Sequence, residues 1–363
     1  ASFTHANENI GLNENDFQES IKGMHVKTVF GYDDTERLSL TLGAEHFFRE
    51  SSFEIAEKGA PDFNYQQHLT ATFAESDLYL SNDFVLRTGV RLTYDDLQNK
   101  VAFFPRTSFS YRVGEQGQVA MAYGVFSQQA RPDYLRVNNN LKTEQAQHFI
   151  LNYQIITGKR TFRIEGYYKK YENLVKFTDA YDPSTFSNTG AGYAKGIDVF
   201  WRDNQSVKGL DYWVSYSWLD TERDYRDFPV PAIPTFASEH NFSVVTKYFW
   251  QALKTQIGTT YTFASQRPYN NPNSAGFNTQ RTPAYHDLSV NFSYLYRPNV
   301  IFHASVTNVL GIDNIFGYEY SDQPDATGNY VGRAIRQPAP RFIFIGAFIT
   351  LSKNKTTNQL PNL

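Results

Sequence analysis

The chain has 363 residues, of which 16% are aromatic (25 Tyr and 30 Phe), 20% are charged and none is cysteine. A net charge of -3 without a basic patch argues against a nucleic-acid partner, and the lack of thiols excludes disulfides and thiolate metal sites. So many aromatics beside so much charge suit strands with one apolar and one wet face. A soluble sandwich, propeller or polysaccharide-binding domain would share that signature.

No apolar run approaches the ~20 residues of a transmembrane helix. The opening ASFTHANENIG carries no signal peptide and reads as a processed or truncated start. About 15 period-two segments follow. They are predicted at 19–32, 37–49, 66–80, 84–94, 100–112, 117–127, 142–156, 159–173, 190–203, 208–220, 238–250, 253–263, 285–296, 299–310 and 340–352. Every second link is short and rich in turn residues: Asp33-Asp34-Thr35, Ser81-Asn82-Asp83, Gly114 to Gly117, Thr157-Gly158-Lys159, Asn204 to Gly209 and Arg297-Pro298-Asn299. The opposite connections are long, at 50–65, 128–141, 174–189, 221–237, 264–284 and 311–339, and only 95–99 breaks the rule. Short inner turns and long outer loops are the habit of a transmembrane antiparallel β-barrel, with the C-terminus in the periplasm.

The faces agree. Phe84, Leu86, Val90, Leu92 and Tyr94 share one side of their segment and Arg87, Gly89, Arg91 and Thr93 the other. Val101, Phe103, Phe109 and Tyr111 oppose Arg106; Phe162, Ile164 and Tyr168 oppose Arg163 and Glu165; Val290, Phe292, Tyr294 and Tyr296 oppose Asp287, Asn291 and Ser293. An arginine in lipid near the midplane costs roughly 2–4 kcal/mol. Arg87, Arg91, Arg106, Arg163 and Glu165 are therefore expected to face the lumen. Tyr111, Tyr153, Trp213 and Trp250 fit interfacial girdles. Pro105 removes a ladder donor, so a bulge or a strand end is expected there.

Several blocks, in this order and spacing, resemble the C-terminal part of the barrel of a TonB-dependent outer-membrane receptor of the Bacteroidota type. They are SQQARPDYL (127–135), LKTEQAQHFILNYQ (141–154), FRIEGYYKKYENLV (162–175), NTGAGYAKGIDVFWR (188–202), GLDYWVSYSWLDTERDYRDFP (209–229), SQRPYNNPN (265–273), SVTNVLGIDNIFGYEYS (305–321) and RFIFIGAFITL (341–351). The resemblance implies a barrel of about 22 strands around an N-terminal plug. Neither the plug nor a TonB-contacting box is visible. Residues 1–352 would then be a partial transmembrane barrel lacking the plug and about the first seven strands, and 353–363 a C-terminal periplasmic tail. Leu351 runs on into SKNKTTNQLPNL instead of closing the barrel on a terminal aromatic.

The implied function is energised uptake of a scarce or bulky nutrient across the outer membrane of a Gram-negative cell. The implied partners are outer-membrane lipid, the missing N-terminal strands and plug, and TonB through the absent N-terminal region. A glycan or peptide substrate would add a surface lipoprotein. Iron chelates, haem, cobalamin, oligosaccharides and peptides all stay open as solutes. Aromatics stack on rings and arginines pair with carboxylates or phosphates. Within the long loops, that makes Arg131, Tyr134, Tyr181, Arg223, Tyr225, Arg267, Tyr269, Asn271, Tyr318 and Tyr320 the candidate solute contacts. A passive porin or a surface ligand-binding barrel is the alternative. No catalytic residue, cofactor or metal site is predicted: the eight histidines, His5, His25, His46, His148 and His303 among them, lack a recognisable nucleophile neighbour along the sequence.

Overall fold

The computed structural model describes residues 1–12, 15–34, 37–55 and 63–351. The expected tail at 353–363, the Thr35 end of the first short link and the middle of the 50–65 loop lie outside these residues. Twenty strands follow one another: β1 Ser2–Leu12, β2 Asn15–Asp34, β3 Leu38–Ile55, β4 Phe63–Tyr79, β5 Phe84–Asp95, β6 Lys100–Val113, β7 Gly117–Gln128, β8 Glu144–Thr157, β9 Arg160–Lys176 and β10 Ser187–Asp203. Then come β11 Leu210–Asp224, β12 His240–Trp250, β13 Thr255–Ala264, β14 Pro268–Tyr269, β15 Gln280–Arg281, β16 Tyr285–Arg297, β17 Val300–Thr307, β18 Ile315–Tyr320, β19 Gly332–Arg336 and β20 Phe342–Ile349. Among the described residues one short α-helix, α1, spans Pro132–Val137.

Sixteen strands form one sheet in chain order, β1 to β13 and then β16, β17 and β20. The other four make two hairpins, β14 with β15 and β18 with β19, inside long loops. All 15 predicted segments are strands. The added one, β1, pairs along its whole length with β2, from Ser2 opposite His25 to Leu12 opposite Asn15. Its sequence, SFTHANENIGL, is polar on both alternating rows, so it carries no periodic apolar signal.

The chain comprises two compact units. The first holds Ala1–Leu151, Tyr167–Ala194 and Glu222–Pro231; the second holds Asn152–Gly166, Lys195–Thr221 and the chain from Ala232 onward. In the first unit, Leu92 pairs with Phe103 and Tyr94 with Val101, all on one face. Phe103 is 61% exposed and Val101 67%. The opposite face carries ion pairs: Arg87 grips both oxygens of Asp77 at 2.5 and 2.7 Å, and Arg91 pairs with Glu45. The second unit repeats the scheme. Ile257 pairs with Phe292 and Phe292 with Ala304 on the apolar row, while Ser293 meets His303 on the other. Arg163 and Glu165 pair at 2.5 Å on the face opposite the exposed Ile164.

Water would penalise such long apolar rows, and a hydrocarbon solvent would not. Among the described residues no helix is long and apolar enough to cross a membrane. Any crossing therefore falls to the strands.

Two local expectations change. Pro105 sits opposite Val90 without a register shift, and the β6–β7 ladder begins only at Arg106, so its missing N–H falls just past a ladder end and no bulge forms. Trp213 is not on the girdle row. It lies on the charged face, with Lys247 5.2 Å and Arg202 5.8 Å from its ring.

β17 ends at Thr307 because Asn308 turns into the left-handed region at φ 47°. Its buried amide donates to Ile312 O at 2.8 Å and Pro340 O at 2.7 Å. Asn314 exchanges two hydrogen bonds with the backbone of His286. These two asparagines stitch the last long loop to β16 and β20. Asn308→Ala removes both hydrogen bonds that this buried amide donates, so a loss of about 1–3 kcal/mol is expected. A urea midpoint unchanged from the parent protein would contradict this role.

Candidate loop and inner-face sites

In the first unit, α1, the loop residues on either side of it and the segment after β9 build a small core. Leu135 and Val175 are fully buried beside Tyr65, Ala130, Leu141 and Phe186. Tyr134 packs against Phe177 and Phe186, with ring centroids 5.3 and 5.9 Å away, and burial pushes its hydroxyl pKa up. Arg131 bonds Asp133 at 2.6 Å and lies over the Tyr134 ring at 5.4 Å. Arg223 lies 4.2 Å from the Tyr171 ring and 5.7 Å from Tyr225. Tyr225 is only 8% exposed and abuts Phe228. Arg131 and Tyr134 thus come together, as do Arg223 and Tyr225, and both tyrosines serve loop packing. Tyr181, 80% exposed, stands clear at a loop tip.

The second unit gathers three other candidates. Tyr269 on β14 and Tyr318 on β18 face each other at 4.5 Å, and Tyr269 also hydrogen-bonds Tyr320. Burial, then Tyr269, raise the Tyr320 hydroxyl pKa. Asn273 and Tyr330 exchange hydrogen bonds of 2.8 Å each, bracing the two loops. Nothing in the spacing of 269, 318 and 320 foretells this, because the hairpins that join them are set by the loops' own fold. Asn271 instead shapes a turn by accepting from Asn273 N at 3.0 Å, and Arg267 is held through its backbone to Thr282. Asp325 anchors a loop tip by accepting from the Thr327 hydroxyl at 2.6 Å, which holds its pKa below the usual carboxylate value. That anchoring is in place above the ordinary carboxylate pKa and is lost as pH falls through the lowered one.

On the charged face of the first unit, Arg91, Lys100 and Arg106 line a cavity of about 310 Å3 with Phe47, Phe104 and Phe126. Arg106 lies 4.8 Å from the Phe126 ring. A cation beside aromatic walls suits a solute with an anionic group and a flat or sugar-like face. One pair was invisible in the sequence: Ser293 Oγ is 2.8 Å from His303 Nδ1. The His303 ring packs near Phe344 and Phe348, not against an orienting carboxylate, so the pair is not arranged as a nucleophile and base.

The profile of the family described as "TonB dependent receptor-like, beta-barrel" matches residues 2–315. Solved structures share the fold. The outer membrane transporter YddB from Escherichia coli superposes with a TM-score of 0.70 at 12% identity, over 92% of this chain and 55% of that one. The ferric yersiniabactin uptake receptor FyuA from Yersinia pestis gives 0.70 at 11%, over 95% and 57%. The FrpB iron transporter from Neisseria meningitidis gives 0.68 at 13%, over 92% and 55%. The chain spans little more than half the length of these receptors. No curated protein matches it by sequence.

Proposed function

The chain belongs to the TonB dependent receptor-like β-barrel family, and we propose that it forms part of the wall of a receptor for energised uptake of a scarce or bulky nutrient. Its place is the outer membrane of a Gram-negative cell, and the blocks quoted above favour a Bacteroidota source. The observation that carries this reading is the family match over residues 2–315, joined to exposed apolar rows backed by ion-paired rows.

Unbonded strand edges are costly in lipid. β1 and β20 stand at the two ends of the strand order, and the solved relatives are nearly twice as long. Further strands of the whole receptor would pair those edges, around a plug that TonB moves through an N-terminal box. Arg87, Arg91, Arg106, Arg163 and Glu165 would then line the lumen. Tyr269, Tyr318 and Tyr320 would meet solute from outside, with Tyr181 and Arg131 in the other loops and Arg223 at the end of β11. Such a protein binds and passes its solute without transforming it. A surface lipoprotein would join it if the solute is a glycan or peptide.

Growth tests this. Deleting the gene should impair growth on one scarce nutrient, and loss of TonB should reproduce the defect. Uptake that persists without TonB would replace this reading with a passive pore.

A further inference from the structure

In the second unit, the 158–159 and 204–209 links and the turn after Trp250 border a cavity of about 1070 Å3. Its wall holds four cations, Lys159, Arg202, Lys208 and Lys247, and one carboxylate, Asp211. That carboxylate is engaged already. Arg202 donates to both of its oxygens at 3.0 and 2.7 Å, and Lys247 stands opposite it in the β11–β12 register. Arg160 and Asp203, beside the cavity, neutralise one another at 3.1 Å. Lys159 and Lys208 are exposed, and among the described residues neither has a carboxylate within ion-pairing distance.

Four cations against one carboxylate leave an excess of three positive charges in a chain whose net charge is -3. Low-dielectric walls concentrate such a potential. The two unpaired ammonium groups come from different links, Lys159 between β8 and β9 and Lys208 between β10 and β11. Lysine offers a mobile point charge, unlike the rigid arginine fork that selects a single carboxylate or phosphate. The cavity also lies at the upper end of the ~300–1,000 Å3 usual for ligand sites.

We propose that this cavity docks an acidic segment of a partner polypeptide, one bringing two or more carboxylates along an extended backbone. One small anion would satisfy one lysine and leave the other; a run of Asp and Glu can meet both. The chain's own last residues, SKNKTTNQLPNL, contain lysine and no acid, so they are not the occupant. The site stands whether or not the whole protein imports a solute.

Carbodiimide coupling joins an amine to a carboxylate only where the two touch. On the whole protein in its native membrane, followed by peptide mass spectrometry, Lys195 is the internal positive control because Asp220 lies 3.0 Å away. The expected result is isopeptide bonds from Lys159 and Lys208 to Asp or Glu of one acidic segment of a separate polypeptide; bonds to this receptor's own plug instead would overturn the proposal. Coupling should fall at least tenfold when salt is raised to about 0.5 M beforehand, which screens exposed charges. Lys247→Glu, which spares both reactive amines, should reduce it several-fold. Coupling at Lys195 with none at Lys159 and Lys208 would overturn the proposal. So would millimolar inorganic phosphate abolishing the bonds at both lysines, the mark of a small-anion site.

Discussion

Replacing Phe292 by arginine is expected to lower stability by about 2–4 kcal/mol and to deplete the folded protein from the outer membrane. Phe292 stands in the middle of β16, on the row with Ile257 and Ala304, and is 46% exposed. In lipid that exposure is solvation, and a guanidinium there has no water. The same charge one face over should cost little: Thr260→Arg on β13 joins the row of Val245 and Ser289. Folded, heat-modifiable protein recovered from outer membranes and the urea midpoint are the two readouts. Equal losses from both substitutions would remove the distinction between the faces.

The second large effect is expected at Gly190, within the NTGAGYAKG stretch of β10. A Cβ there would lie 2.5 Å from Leu174 O and 2.6 Å from Asp224 O, so backbone crowds it from both sides. Both are backbone oxygens, which cannot swing aside as the end of a flexible side chain would. Gly190→Val should therefore cost about 3 kcal/mol by overpacking and loosen the loop core around Leu135 and Val175. External protease should then cut the 129–143 loop faster. Gly166→Val in β9, where a Cβ meets nothing within 4 Å, is the matched control. If both variants behave alike, close backbone approach is not what requires glycine at 190.

These effects show what was legible in the sequence. A period of two survives wherever one row is apolar, so the β5, β6, β9 and β16 faces could be read directly. β1 could not, because polar residues occupy both of its rows. Trp213 misled because an aromatic near a strand end looks interfacial, whereas the register places it with Asp211 and Lys247. Turn chemistry revealed the short links but not the β14–β15 and β18–β19 hairpins, whose pairing depends on long loops folding on one another. For the same reason the sequence does not reveal that Tyr134 packs beside Phe177 and Phe186, or that Tyr225 is buried beside Phe228. The Lys159 and Lys208 cavity was hidden because its charges come from two links and three strands far apart in sequence.

The chain has no native cysteine, so single cysteines placed from Leu288 to Tyr296 in the whole protein report one site each. In intact outer membranes, residues 288, 290, 292, 294 and 296 should react with a membrane-soluble thiol reagent. Residues 289, 291 and 293 should react with a water-soluble one once solvent reaches that side. Water-soluble labelling of both sets alike would mean that no hydrocarbon covers Phe292 and its row, and membrane insertion would fall with it.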